Sequence, residues 1–387
     1  MSDNATLRVG AVVAAAFALV CVPAAAPAVS ALDDPPEDRS AKLERYGRTL
    51  GEIVKVYHDA GRFQGAVLVA MDDVVVYRGA VGYANVEWKI PNTPDTRIAI
   101  ASLGKAFTAA MILQLRDEGK IDLGAKLQAY LPSFKKSIAS NVTIHQLLAH
   151  TAGIAWAADE WEPEQFARSY TLDELVRFSA QGELLFEPGS EFRYCNSCYH
   201  LLAAVIERLT GNGFESELQR RLLDPLGMMA TGIVRATPLI EKRACGYERR
   251  DDGQLENALL QDQSYALGAG GMYSTVDDLY KWDRALYSNK ILSPESTKLM
   301  FMGGLNGAGY GWAMGAYIEI GFEDVRELAV GFGGTPGFAS GMARLLVDRH
   351  FVVFLGNVRQ VPQNKLMNDL WNTILGVDID PAAIAFD

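Results

Sequence analysis

The first part of the chain alternates between helical and extended patterns. Residues 41–60 form a helix-like stretch of mixed apolar and polar positions. Two short apolar runs follow at 65–71 and 74–78, and the two aspartates between them are typical of the turn in a β-hairpin. Residues 98–119 are rich in Ala, Met, Leu and Gln and end at a glycine. We therefore expect a helix, a hairpin and a further helix.

The pattern changes twice more towards the C-terminus. Residues from about 120 to 262 show mainly helical patterns punctuated by proline and glycine. Three short β-rich runs then occur at 327–332, 338–347 and 351–356, and a helix over 362–375 closes the chain. Strands at both ends of a helical middle predict one sheet assembled from the two ends, with the middle inserted as a helical lobe.

The first 31 residues have the three-part layout of a secretory signal peptide. A short polar lead ends at Arg8, residues 9–22 are almost entirely apolar, and small residues occupy 29–31, where a signal peptidase would cleave. An uncleaved membrane anchor is the alternative, but alanine is only weakly apolar and prolines interrupt the run. We expect cleavage of residues 1–31, a mature domain over 32–387 and no stable membrane insertion of a secreted or periplasmic protein.

Three cysteines remain after that cleavage, so they cannot all pair with one another. Cys195 and Cys198 have the spacing of a redox C-x-x-C motif, but no thioredoxin-like βαβ pattern surrounds them. We interpret them as small buried residues at the start of a helix, and the disulfide state of both and of Cys245 stays open.

Composition and charge exclude several classes of protein. The 387 residues are 49% hydrophobic and 21% charged, as in a soluble globular enzyme. The net charge of −11 repels a phosphate backbone, so we expect no nucleic-acid partner. The sequence has no zincin, nucleophile-elbow or phosphate-loop motif, and His145 and His150 are five apart, on different faces of a helix. We expect no metal and no cofactor.

The spacing of Ser102 and Lys105 is the first candidate for chemistry. Residues three apart share a face of a helix, so a serine at its start and a lysine one turn later can touch. A desolvated lysine can take the serine proton, and the free N–H groups at the helix N-terminus favour an oxyanion. The same spacing recurs at Ser133 and Lys136, where a preceding proline and a second lysine are typical of a solvated turn.

A Tyr-x-Asn triplet often accompanies Ser-x-x-Lys, and it occurs three times here. The triplet at Tyr83 lies too close behind the hairpin, and the one at Tyr287 has the pattern of a helix end. The third joins Tyr194 to Asn196 and stands at the entry to an apolar helix. Neither short motif is specific by itself.

Longer segments around these residues resemble the serine β-lactamase and penicillin-binding-protein-like family. The likeness is strongest to its class C-related branch of D-aminopeptidases, carboxypeptidases and esterases. Residues 98–105 look like the family's nucleophile helix, 147–153 like its His-Thr-Ser-Gly turn, and 188–196 like its second motif. Further segments follow in the family's order at 224–228, 270–275 and 333–338.

The resemblance implies an α+β, β-lactamase/transpeptidase-like fold: an antiparallel sheet flanked by helices, with an inserted mainly helical lobe. We expect the sheet lobe at about 41–119 and 263–387 and the helical lobe at about 120–262. The active site would lie between them.

The resemblance also implies a role for each candidate residue. Ser102 would attack an ester or amide carbonyl and become acylated, while Lys105 and Tyr194 share the proton transfers. Asn196 would hold the substrate or the Lys105 ammonium. Water would then release the acyl group.

The third motif departs from the family's pattern. Relatives carry Lys-Thr-Gly or His-x-Gly where this chain has Gly331-Phe332-Gly333. Gly333 and Gly334 would still bind substrate, with the oxyanion between the N–H groups of Ser102 and Gly334. The missing cation normally helps to bind a substrate carboxylate, so its loss favours an uncharged ester over a β-lactam or a peptide with a free carboxylate.

We therefore expect a secreted hydrolase that acts on a small ester or a D-amino-acid-type amide. Its partner would be a small-molecule or peptide substrate, and its oligomeric state stays open. The alternatives are β-lactamase or D-Ala-D-Ala carboxypeptidase activity, and a non-catalytic binding protein that retains the fold. Trp156 and Trp161 are candidates for an apolar acyl pocket or for packing aromatics.

Overall fold

A computed structural model of the chain describes residues 38–155, 163–318 and 325–386. The predicted signal peptide and both pocket candidates, Trp156 and Trp161, lie outside these ranges. Within them, no helix is both long and apolar enough to cross a membrane.

The described strands are mostly short, apart from those at the two ends of the chain. They are β1 (Gly65–Met71), β2 (Val74–Val81), β3 (Tyr83–Asn85), β4 (Ile90–Pro91), β5 (Ile98–Ala99), β6 (Gly232–Ile233), β7 (Tyr247–Arg249), β8 (Leu255–Asn257), β9 (Met272–Ser274), β10 (Ala313–Ile318), β11 (Val325–Thr335), β12 (Phe338–Leu345) and β13 (Phe351–Gly356).

The described helices occupy most of the middle and both flanks of the sheet. They are α1 (Arg39–Asp59), α2 (Gly104–Asp117), α3 (Lys136–Ala139), α4 (Ile144–Leu148), α5 (Pro163–Phe166), α6 (Leu172–Ser179), α7 (Asn196–Thr210), α8 (Phe214–Leu218), α9 (Asp224–Leu226), α10 (Val276–Leu286), α11 (Pro294–Met300) and α12 (Gln363–Ile374).

A six-stranded antiparallel sheet joins the two ends of the chain, as the sequence predicts. The strand order is β10-β11-β12-β13-β1-β2, and β1 pairs with β13 from Gly65 opposite Gly356 onward. The predicted hairpin of β1 and β2 is also confirmed. Asp72 and Asp73 form its turn with φ of 47° and 67°, because two left-handed residues match the twist of the strands.

Helices cover both faces of this sheet because its central strands are apolar on both sides. In β1, Val67 and Val69 belong to the core beneath α1 and α12, whereas Leu68 belongs to the larger core that contains α2 and α10. Within the larger core, Phe107 of α2 stacks on Trp282 of α10 with ring centroids 4.2 Å apart. Residues 104–113 of α2 are all buried, so a polar group in this part of the helix is removed from water.

Three elements differ from the prediction. The helix expected over 98–119 begins later, because Ile98–Ala99 pair with β9 and Ala101–Leu103 form a single 3₁₀ turn before α2. A tertiary strand partner here overrides local helix propensity. The sequence also missed β10, whose Gly and Ala content gives no alternating apolar pattern. The β11 strand extends the predicted run at both ends.

Candidate active site

The nucleophile candidate Ser102 lies in a strained turn between β5 and α2. Ala101 directly before it has a φ of 46°, in the left-handed region that non-glycine residues rarely adopt. The preceding Ile100 is fixed on both sides, since its N–H donates to Met272 O at 2.9 Å and its carbonyl accepts from Ser340 Oγ at 2.8 Å. Neighbouring strands therefore determine where the Ser102 hydroxyl lies.

Ser102, Lys105 and Tyr194 meet as the sequence predicts. Lys105 Nζ lies 3.3 Å from Ser102 Oγ, and Tyr194 Oη lies 2.7 Å from the same oxygen on its other side. Lys105 Nζ also sits 4.7 Å from the centroid of the Tyr194 ring. Both the Lys105 amine and the Tyr194 phenol are thus within hydrogen-bonding distance of the serine oxygen.

The Lys105 amine is buried on α2 and has two further polar contacts. It donates to Asn196 Oδ1 at 2.7 Å and to Ala269 O at 2.5 Å, and the residue is only 2% exposed. Neither contact is with a carboxylate. Burial lowers the pKa of Lys105 well below its usual range, because water no longer solvates the ammonium.

The Tyr194 phenol is held by the turn that ends at His150. The His150 ring stacks on the Tyr194 ring with centroids 4.7 Å apart, and its Nδ1 accepts the Cys195 N–H at 3.0 Å. Burial lowers the pKa of His150 to about 3, so the ring is neutral and accepts this bond at neutral pH. Desolvation raises the pKa of Tyr194 above its usual range, opposed in part by the bond to Ser102. His150 therefore positions Tyr194 through the ring stacking and through the backbone bond to the next residue, Cys195.

Cys195 and Cys198 form a disulfide at the start of α7, beside Tyr194 and Asn196. Both are buried, as the sequence predicts, but their pairing was left open. Cys245 is a free thiol that accepts a hydrogen bond from Asn85 Nδ2 at 3.3 Å.

A cavity opens in front of Ser102, and the third-motif strand β11 forms one of its walls. Five predicted residues line it: Ser102, Lys105, Tyr194, Gly333 and Gly334. The sixth predicted residue, Asn196, is not part of the cavity wall but accepts a hydrogen bond from the Lys105 amine. Sequence reasoning missed Trp312, Arg359 and Gln363, which also line the cavity. Trp312 and Arg359 lie in segments without a recognisable motif. Gln363 is the first residue of α12, a helix that the sequence predicts without linking it to the site.

Gly333 is the point where β11 touches the nucleophile turn. A Cβ at Gly333 would overlap the carbonyl of Ile100 and Ser340 Oγ, so only glycine fits there. Gln363 Nε2 holds the strand from the opposite side by donating to Gly333 O at 2.8 Å. The next residue, Gly334, therefore follows closely along the wall beside Ser102.

The comparisons with known proteins agree with this geometry. A family model described as Beta-lactamase matches residues 50–372. Penicillin-binding protein 4* of Bacillus subtilis is 28% identical over 345 residues, which are 83% of this chain and 72% of that protein. Esterase EstB of Burkholderia gladioli is 31% identical over 274 residues, which are 61% of this chain and 68% of EstB.

A solved structure has a similar fold. The D-amino acid amidase of Ochrobactrum anthropi superposes with a TM-score of 0.74 at 24% identity, covering 85% of this chain and 98% of the amidase. The β-lactamase-like fold and the Ser-x-x-Lys cluster define a serine hydrolase. The chain belongs to the β-lactamase family, as its sequence motifs predict.

The contact at Gly333 predicts unequal effects for two neighbouring substitutions. Gly333→Ala should push back Ile100 and the nucleophile turn, and a shift of about 1 Å costs about 100-fold in rate. The matched control is Gly331→Ala, whose Cβ would come closest to the flexible end of Leu103, at 3.0 Å, and would lie at ordinary contact distance from Met342. Acylation of Ser102 by a fluorophosphonate should fall about 100-fold in the first variant and change little in the second. Equal rates in both would contradict the assigned contact.

Proposed function

We propose that this protein cleaves small esters or D-amino-acid-type amides through an acyl-enzyme on Ser102. The observation that carries the proposal is the hydrogen bonding of Lys105. A neutral amine has two donors and one lone pair. Asn196 Oδ1 and Ala269 O take the two donors, which leaves the lone pair for the Ser102 hydroxyl. This arrangement makes Lys105 the base that activates the serine.

Tyr194 complements the base as a proton donor. Because its pKa is raised, the phenol keeps its proton at neutral pH while it contacts Ser102 Oγ. Attack by Ser102 transfers the serine proton to Lys105, Tyr194 protonates the departing oxygen or nitrogen, and the Lys105 ammonium restores the Tyr194 proton. In the second half, the same groups take a proton from water and return it to Ser102. The sum is one ester or amide and one water converted to an acid and an alcohol or amine.

The oxyanion needs donors where negative charge develops. The Ser102 N–H lies in the 3₁₀ turn directly before α2, and Gly334 follows Gly333, the glycine that packs against the Ile100 carbonyl. These two N–H groups are our candidates for the oxyanion hole. Backbone donors of this kind require no charge on the substrate.

The choice of substrate class rests on two similar proteins. EstB is named an esterase, and the structural neighbour from Ochrobactrum anthropi is named a D-amino acid amidase. Both kinds of substrate present a carbonyl that the proposed serine, base and oxyanion donors can act on.

Export is the second part of the proposal. The signal-like residues 1–31 and the buried Cys195–Cys198 disulfide both favour an oxidising compartment outside the cytosol. Expressed with its own N-terminus in a bacterial host, the chain should appear outside the cytoplasm with the mass of residues 32–387. A full-length chain that stays with the cytosolic fraction would contradict export.

Labelling of the serine tests the catalytic proposal directly. A fluorophosphonate should add one adduct per chain to the wild-type protein, measured by intact-protein mass, and none to Ser102→Ala. Ser133→Ala is the matched control, because it removes the exposed serine of the second Ser-x-x-Lys and should keep the full adduct. Folded wild-type protein without an adduct would instead support a non-catalytic binding protein.

The buried amine predicts the pH dependence of that labelling. Only neutral Lys105 can accept the serine proton, so the rate should rise with pH through the lowered pKa of Lys105 and then level off, well below the usual 10.5. Burial lowers the pKa of His150 and His200 to about 3, so neither should contribute between pH 5 and 10. Lys105→Met should lose about 10²- to 10⁴-fold in rate, whereas Lys136→Met should not. A rate that is flat with pH in wild-type protein would count against Lys105 as the base.

A further inference from the structure

The turn after β13 brings Arg359 to the wall of the active cavity. Ala339 of β12 stands opposite Gly334 of β11 on one side and opposite Gly356 of β13 on the other. The chain therefore leaves the sheet at the level of Gly334, and Arg359 follows three residues later. Its backbone N–H donates to Tyr247 O at 3.0 Å, which fixes the turn.

The guanidinium of Arg359 packs directly against Gly334. A Cβ at Gly334 would lie 2.8 Å from Arg359 Cζ and Nη2 and 3.0 Å from Nη1. Because Gly334 has no side chain, Arg359 can occupy the space that a Cβ at this position would need. The guanidinium is consequently beside the backbone that we assign to the oxyanion.

Arg359 has no ion pair and no side-chain hydrogen bond within the described parts of the chain. Glu248 is the carboxylate that acts on it electrostatically. However, Glu248 already accepts the Gly337 N–H at 2.8 Å and Gln360 Nε2 at 2.6 Å. Desolvation lowers the pKa of the Arg359 guanidinium, a cost that a bound anion would relieve.

Arg359 makes the charge of the described cavity wall positive, because the other residues there supply no opposing negative charge. They include no aspartate or glutamate, and the Lys105 amine is neutral when it acts as the base. Arg359 is therefore the permanent charge of the described wall. A planar guanidinium with free donors is suited to a carboxylate, which it can bind through two parallel hydrogen bonds.

We propose that Arg359 anchors a carboxylate of the substrate beside the reacting carbonyl and so supplies the cation that Gly331 lacks. This inference rests on the proposed acyl-enzyme function and narrows it to substrates with an acidic group. It is opposed to the expectation that the glycine at position 331 favours uncharged esters, and the substrate pairs below distinguish the two.

Two matched substrate pairs test the proposal and locate the carboxylate. The first pair is the mono-4-nitrophenyl ester of glutaric acid and 4-nitrophenyl butyrate, which differ in the acyl group. The second is a depsipeptide ending in D-lactate with a free carboxylate and the same depsipeptide as its amide, which differ in the leaving group. The wild-type enzyme should prefer the charged member of at least one pair.

Arg359→Met should lower kcat/KM for the preferred charged member about 10- to 100-fold, the effect of losing a charge-assisted bond. The neutral member should change less than about threefold. Arg359→Lys should recover part of the loss, and the exposed Arg250→Met should have no effect. No preference for either charged member, or an equal loss on both members of a pair, would overturn the role of Arg359. Failure of the wild-type enzyme to hydrolyse any of the four would instead overturn the proposed function.

Discussion

The burial of the Lys105 amine, which has no carboxylate partner among the described residues, is the constraint on which this site depends. An ammonium in such a place is costly, so the fold favours the neutral amine at Lys105. The enclosure of α2 between the sheet and the surrounding helices produces this burial. The same packing that stabilises the core therefore keeps the amine neutral, as the proposed base has to be, whereas a negatively charged partner beside Lys105 would favour the ammonium.

The neighbours of Lys105 are compatible with a neutral amine. Asn196 and Ala269 offer only acceptors without formal charge, so they orient the amine without raising its pKa as a carboxylate would. Tyr194 remains protonated for the same reason of desolvation, and the His150 ring keeps it in place. Exclusion of water thus acts on both groups that contact Ser102: it favours the neutral amine of Lys105 and the protonated phenol of Tyr194.

The sequence was sufficient for the parts of the site that a local pattern encodes. Ser102 and Lys105 are one helical turn apart, and Tyr194 and Asn196 lie at the start of one helix. Their spacing and the family-like segments around them therefore made them candidates for one site. The strand at Ile98–Ala99 was missed because its partner lies far along the chain in β9. Arg359 was missed for a similar reason: only the register across β11, β12 and β13 brings it to Gly334.

The packing around Gly331 bears on the missing cation of the third motif. A Cβ at Gly331 would point at Leu103 Cδ2, 3.0 Å away, and at Met342. Leu103 directly follows the nucleophile and is buried in the larger core. A lysine or histidine at position 331 would start from this contact and would need more room beside Leu103 than the alanine of the control variant. Apolar packing beneath Ser102 and a third-motif cation therefore compete for one space, and a charge on the turn after β13 reaches the cavity without entering that space.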